Sequence, residues 1–362
     1  MSETRPLVSL VVPCYNEAQV LEKNLGILCE HMSTLEDRYR WELLIVDDGS
    51  RDGSADVAER FAAGRPNVRV LRHLTNFRLG QVLRFAFNNC RGEYVVTLDA
   101  DLSYSPDHVE RLLQAMIETR AKIVLASPYM PGGSVKNVPR LRLLISRVAN
   151  RFLSFMSKGS FSTLTGMVRA YDRRFLRSLS LRAMDMSVNA EIIYKTMLLR
   201  GLIVEIPGHL AWAPAKPGAR RRSGMRLVSN TMTYVLSGFM FRPFIFFTLP
   251  GLALLLFSLY PAGWAGVHIL EHLTEPASGA GPLDVRLSAA VAGAFLQAPH
   301  TFILAGVGAL LGIQFLSLGV LALQGKKQFE ELYHLCSNVY RHQRDREDAG
   351  DDTDPRSGGT GT

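Results

Sequence analysis

The chain has 362 residues, 47% of them apolar and 20% charged, with a net charge of +8. That length fits one large domain or two smaller ones. A slightly positive mean hydropathy is apolar for a soluble enzyme and polar for a many-span transporter, so part of the chain is expected in a membrane. The positive balance suits an anionic partner: a nucleotide, a nucleic acid or a lipid headgroup. Cys14, Cys29, Cys90 and Cys336 show no CxxC spacing. They read as reduced core thiols, which excludes a zinc site and a disulfide framework. The opening apolar run is too short for a signal peptide, so the N-terminal part is expected in the cytosol.

Leu7–Pro13 (LVSLVVP) is a β-branched apolar run of the kind that forms a fully buried strand. Asn16 and Glu17 resemble a cap, and the helix after them places Val20, Leu21, Leu25 and Leu28 on one face. Glu42–Val46 is a second buried strand, ending in the turn Asp47-Asp48-Gly49-Ser50, in which Asp47 reads as a turn former. A helix follows over Ser54–Ala63, then a strand at Val68–Leu71 and a helix from Gly80 through Asn89. Tyr94–Leu98 is a strand, Pro106–Thr119 a helix, and Ile123–Ser127 another strand. This alternation with short links predicts a doubly wound, mostly parallel α/β sheet with right-handed crossovers.

After Ser127 the pattern changes to a Gly/Pro loop over Pro128–Pro139 and a basic amphipathic helix over Arg140–Met156. A strand near Met167–Tyr171, a helix over Ala190–Arg200 and a strand at Ile203–Ile206 follow. Trp212–Arg226 is a Pro- and Arg-rich loop. Two apolar stretches, at about 244–270 and 301–323, are long enough to span a bilayer. The loop between them, Glu271–Pro299, carries three acids and one Arg. Arg220–Arg222, Arg226 and Arg242 flank one side, and Lys326 and Lys327 the other. The positive-inside rule then puts both ends in the cytoplasm. The predicted organisation is a cytosolic domain over 1–228, an interfacial segment over 229–243, a transmembrane hairpin over 244–324, a cytosolic helix over 325–344 and a disordered tail over 345–362. Gly306, Gly308, Gly312 and Gly319 allow close helix packing, either between copies in a homo-oligomer or within one chain.

Three signals converge on the carboxyl edge of the sheet: Pro13-Cys14-Tyr15-Asn16-Glu17, Val46-Asp47-Asp48-Gly49-Ser50 and Asp99-Ala100-Asp101. In an open α/β sheet that edge holds the ligand crevice. Asp-x-Asp at a strand end offers two hard oxygen ligands for one Mg²⁺ or Mn²⁺, which in turn holds a diphosphate. A solvated turn is the plainer alternative. A calcium loop is excluded because its sixth position, which needs Gly, is Tyr104. No G-x-G-x-x-G follows the first strand, which excludes a dinucleotide oxidoreductase. The basic residues gather beside the membrane spans without aromatic interleaving, which argues against a nucleic-acid binder.

These motifs, with NFRLGQ (76–81), GEYVVTLDADLSYSP (92–106), MPGG (130–133), RLLISRVANRF (142–152), TGMVRAY (165–171) and VEIP (204–207), resemble the family 2 glycosyltransferases of the GT-A fold. More narrowly, they resemble the dolichyl-phosphate mannose synthase and bacterial polyisoprenyl-phosphate glycosyltransferase group. The resemblance covers roughly residues 5–230. It implies an integral protein of the bacterial inner or plasma membrane, moving a sugar from a nucleotide-sugar donor to a polyprenyl-phosphate lipid. Pro13, Tyr15, Glu17, Val46 and Asp48 would contact the nucleoside. Asp99 and Asp101 would hold the metal and diphosphate, with Ala100 against the ribose or phosphate and Ser103 near the metal. Lys195, Arg220 and Arg226 match basic positions near the donor and acceptor phosphates, and Arg142 and Arg147 match basic positions on the amphipathic helix. The chain departs from the pattern at Pro128, where relatives usually carry Arg. It departs again at STLTGMVRAY, which lacks an Asp, and at Met225-Arg226 in place of Ser-Lys. A processive polysaccharide synthase is excluded because no Q-x-x-R-W follows the Asp-x-Asp. A scaffold with a dead transferase domain is disfavoured by the intact Asp48, Asp99 and Asp101.

Overall fold

A computed structural model describes residues 5–157, 161–212, 238–274 and 282–351. The chain divides into two compact units, Met1–Phe241 with Leu332–Thr362, and Arg242–Glu331.

The first unit is built on a seven-stranded sheet. In chain order its elements are β1 (Leu7–Cys14), α1 (Ala18–Ser33), β2 (Arg40–Asp47), α2 (Ser54–Ala62), β3 (Val68–Arg72), α3 (Leu79–Asn89), β4 (Tyr94–Thr97), α4 (Asp107–Thr119) and β5 (Ile123–Ser127). Then come β6 (Ser134–Lys136), α5 (Arg140–Met156), β7 (Arg169–Asp172), α6 (Arg173–Ser178), α7 (Val188–Leu198), β8 (Ile203–Pro207) and β9 (His209–Ala211). The strand order is β3-β2-β1-β4-β7-β5-β8, and β6 pairs with β9 in a separate ribbon.

The central strands are apolar on both faces because helices cover both. Val8, Leu10, Val11, Leu43, Leu44, Ile45, Val95 and Val96 are fully buried. The expected parallel sheet is present with one reversal: β7 runs antiparallel between β4 and β5. That reversal matters for the site. Because β1, β2 and β4 are parallel, their carboxyl ends share one edge. Because Arg169 of β7 lies opposite Thr97 of β4, the segment leading into Arg169 reaches that same edge.

Several short elements differ from expectation. The Gly/Pro loop contains β6, and β9 and α6 come from stretches without clear periodicity. Asn16 does not cap α1. It adopts a left-handed backbone, and its N–H donates to Ser50 Oγ at 2.9 Å while its Oδ1 accepts from the Arg51 N–H at 2.9 Å. Asn16 therefore ties the first crossover loop to the second. All four cysteines are free, as expected, but Cys336 is exposed and not in a core.

The second unit holds α8 (Ile245–Thr274), α9 (Leu283–Gln297) and the first part of α10 (Pro299–Asp351). Helices α8 and α10 are long and apolar enough to cross a membrane. At 1.5 Å per residue, the 30 residues of α8 extend about 45 Å, more than a hydrocarbon core of about 30 Å. The stretch between the spans is not merely a loop. Leu283–Gln297 is rich in Leu and Ala, both strong helix formers, and it buries Ala290 and Ala294. Helix α10 runs unbroken to Asp351, past the point where disorder was expected.

Three of the four span glycines pack within the chain. A Cβ added at Gly308 would meet Ser258 Cβ at 3.0 Å, one at Gly312 would meet Leu255 Cγ at 2.6 Å, and one at Gly319 would meet Thr248 Oγ1 at 2.8 Å, whereas Gly306 has nothing within 4 Å.

Candidate active site

The loops after β1 and β2 are laced together by hydrogen bonds. The Asp48 N–H donates to Cys14 O at 3.0 Å. The Glu17 N–H donates to Ser54 Oγ at 2.8 Å, and the Ala18 N–H donates to Asp52 Oδ2 at 3.1 Å. Asp47 is a turn residue, as its sequence context suggests: it is buried, and its Oδ2 accepts the Ser50 N–H at 3.2 Å. Gly49 is required here, with φ +68°, and a Cβ would stand 2.5 Å from the Thr75 carbonyl carbon.

Asp48 is 5% exposed and heavily engaged. Its Oδ1 accepts the Phe77 N–H at 2.8 Å and faces His73 Nδ1 at 3.2 Å, and its Oδ2 accepts the Arg78 N–H at 3.0 Å. Arg78 sits at φ +68°, an unfavourable backbone for a non-glycine residue, and the carboxylate holds it there.

Beyond β4 the Asp-x-Asp loop turns sharply. Leu102 adopts φ +46°, and its N–H donates to Asp99 O at 3.1 Å. The Ser103 N–H donates to Asp101 Oδ1 at 2.9 Å, while Ser103 Oγ lies 3.5 Å from Asp99 Oδ2. Asn24 of α1 fixes the backbone between them by donating to Ala100 O at 2.8 Å. Burial and then the charge of Asp101 push the Asp99 carboxyl up to about 7, with Glu17 adding to the effect. Burial, Asp101 and Asp52 likewise raise Glu17. Asp99, Asp101 and Glu17 thus form a mutually repelling, partly buried cluster of acids.

Asp99, Asp101 and Ser103 line a cavity of about 290 Å³. Its far wall includes Arg142, expected from the sequence, together with Tyr129, Ser146, Thr163, Thr165 and Trp212, which were not foreseen. Buried Asn150 shapes this wall by accepting the Leu164 N–H at 2.9 Å, and Glu205 accepts the Ser162 and Thr163 N–H groups. Fully buried Arg169 donates to the carbonyls of Gly166, Leu164 and Asn189 at 2.7–2.9 Å.

A family model described as glycosyl transferase family 2 matches residues 9–180. Undecaprenyl-phosphate mannosyltransferase of Micrococcus luteus is 31% identical over 223 residues, covering 60% of this chain and 88% of that protein. The chain belongs to glycosyl transferase family 2. Polyprenol monophosphomannose synthase of Mycolicibacterium smegmatis is 28% identical over 225 residues, covering 60% of this chain and 82% of that protein. Among solved structures, glucosyl-3-phosphoglycerate synthase of Mycobacterium tuberculosis, in complex with Mn²⁺, uridine diphosphate and phosphoglyceric acid, superposes with a TM-score of 0.50. It is 19% identical, and the match covers 65% of this chain and 78% of that one. The fold is therefore the GT-A arrangement of this glycosyltransferase family.

Within this glycosyltransferase the expected residues divide into four groups. Pro13, Tyr15, Glu17, Val46 and Asp48 lie at the shared edge, although Val46 is wholly buried and offers only backbone, while Tyr15 is 42% exposed. Asp99, Asp101, Ser103 and Arg142 line one cavity, and Ala100 sits between the two acids. Arg147 is exposed on α5 and does not line it, and Lys195 does not join it either. Lys195 is 5% exposed and pairs with Glu191 at 2.7 Å, donates to Ser180 O at 2.6 Å and faces the Tyr333 ring at 5.5 Å. Arg220 and Arg226 lie outside the described residues.

Proposed function

We propose that this glycosyltransferase moves a sugar from a UDP- or GDP-sugar to a membrane polyprenyl phosphate, inverting the anomeric carbon. One observation carries the reading: a single cavity is lined both by the acids suited to a metal–diphosphate and by a guanidinium suited to a second phosphate. The two bacterial relatives, one named as an undecaprenyl-phosphate mannosyltransferase and one as a polyprenol monophosphomannose synthase, support the acceptor class.

The residues fit a divalent ion. Among the described residues no group of three or more His, Cys, Asp or Glu forms a metal cage. Mg²⁺ in phosphate chemistry typically takes one or two carboxylates and fills its shell with water and substrate oxygens, which is what Asp99, Asp101 and Ser103 offer. Asp99, raised by burial first and by the neighbouring Asp101 charge second, would be eased by a cation at that place. When bound, Mg²⁺ or Mn²⁺ would offset charge on the leaving diphosphate.

The chain's own contribution is positioning. The Asp48 region and Tyr15 would receive the nucleoside, and the Ser103 N–H would keep Asp101 aimed. Arg142 would donate to the acceptor phosphate. That phosphate is already an anionic nucleophile, so no general base is needed. Its oxygen bonds to the anomeric carbon as the bond to the diphosphate breaks, and the electron pair leaves on the diphosphate. Holding both partners in line accounts for most of the acceleration. Helices α8 and α10 would anchor the protein, with Arg242, Lys326 and Lys327 on the cytoplasmic side.

The test is a transfer assay on the detergent-purified protein with Mg²⁺ or Mn²⁺, undecaprenyl or dolichyl phosphate, and a panel of labelled UDP- and GDP-sugars. Label should enter the lipid phase with one donor and stop doing so with EDTA. Bound nucleotide without transfer from any donor would overturn the proposal.

A further inference from the structure

Arg142 is the one cation among the described residues lining the Asp99–Asp101 cavity. It projects from an exposed position on α5, where a long side chain has many rotamers. Its guanidinium carbon lies 4.3 Å from the centroid of the Trp212 ring. None of the motifs that carry the family resemblance includes Trp212.

Trp212 is itself firmly placed. Its N–H donates to Lys136 O at 3.1 Å, and its carbonyl accepts from Asn137 Nδ2 at 3.2 Å. It directly follows β9, which is tied to the acid loop twice. The Ala211 N–H donates to Ser103 O at 2.8 Å, and Leu210 bridges to Tyr104. A short covalent and hydrogen-bonded path therefore runs from Ser103 to the Trp212 ring. The ring meets the guanidinium by its π face, whereas oxyanions bind the in-plane N–H groups, so the two contacts do not compete.

We propose that Trp212 is a positioning residue: it fixes the Arg142 guanidinium relative to the Asp99–Asp101 loop so that the acceptor phosphate docks in register with the donor. This deepens the proposed polyprenyl-phosphate transfer and rests on it. The phosphate would be gripped by Arg142, and Trp212 would set where that grip lies.

The experiment compares wild type, Trp212→Leu, Trp212→Phe, Arg142→Gln and the Trp212→Leu/Arg142→Gln double variant as full-length protein in detergent. Trp212→Leu should raise the acceptor KM about tenfold, the scale of one cation–π contact, with the nucleotide-sugar KM unchanged. Trp212→Phe keeps a ring and should restore the acceptor KM to within about twofold of wild type. The double variant should resemble Arg142→Gln alone, because the ring acts through the guanidinium. An unchanged acceptor KM in Trp212→Leu, a parallel rise in the donor KM, or fully additive effects would overturn the proposal. A wild-type chain that moves no sugar onto lipid phosphate defeats the proposed reaction instead. Trp212 is then judged by calorimetry with dodecyl phosphate. Weaker binding in Trp212→Leu that Phe restores supports the positioning role, and unchanged binding ends it.

Discussion

Asn150 joins α5 to the cavity wall, and replacing it with Ala should weaken the first unit measurably. The side chain is 2% exposed. Its Oδ1 accepts the Leu164 N–H at 2.9 Å and the Thr165 hydroxyl at 3.3 Å, and its Nδ2 donates to Ser146 O at 3.0 Å. Leu164 is fully buried, so truncation leaves its N–H without an acceptor and out of reach of water. A stranded buried donor costs about 1–3 kcal/mol, and each lost neutral bond adds about 1 kcal/mol, so roughly 3 kcal/mol is expected. For a unit of this size that corresponds to a fall in Tm of about 10 °C. Thermal unfolding of wild type and Asn150→Ala, followed by intrinsic fluorescence in the same detergent, measures it. A fall below about 2 °C would show that the 163–166 wall is held by something other than α5.

Two further outcomes follow from buried geometry. His108 is fully buried; its Nδ1 donates to Ser105 O at 2.9 Å and its Nε2 accepts the His209 N–H at 3.0 Å, and burial lowers its pKa despite nearby Asp107. With the folded pKa below the unfolded value of about 6.5, the unfolded chain binds the proton first as pH falls. Stability should therefore be level above that pH and decline beneath it by at most about 1.4 kcal/mol per pH unit, a slope that His108→Gln flattens in pH-dependent melts. In the second unit, Gly312→Leu would drive a side chain into Leu255, 2.6 Å from the added Cβ, whereas Gly306→Leu enters open space. Overpacking of about 1–3 kcal/mol should lower the Tm of the first variant in detergent and leave the second unchanged.

Much of this architecture was legible from hydrophobic pattern alone. The strands through Ser127 were readable as continuous buried apolar runs, and the helix Arg140–Met156 by its amphipathic spacing, although it buries only Asn150, Leu153 and Met156. Direction was not readable for β7. A buried run as short as Arg169–Asp172 carries no sign of whether it runs parallel or antiparallel, and only its partners Thr97 and Tyr94 decide it. The three-residue strands β6 and β9 lie in Gly- and Pro-rich sequence with too few residues for any period. Lys195, matched by resemblance to a basic phosphate contact, does not line the Asp99–Asp101 cavity and is paired with Glu191. The Glu191–Lys195 spacing of four residues within a helix was the available clue to an ion pair. Asn150, Glu205 and Trp212 went unread because their work is done across folds of the chain, in contacts that no local spacing encodes.

The occupancy of Asp48 has a consequence for the loop it holds. Its two oxygens take the Phe77 and Arg78 N–H groups and face the His73 ring, so one side chain at the end of β2 pins three residues of the next crossover. Removing that carboxylate would strand two backbone donors and release the left-handed Arg78 together, so the 76–78 loop would fail as a unit and not residue by residue.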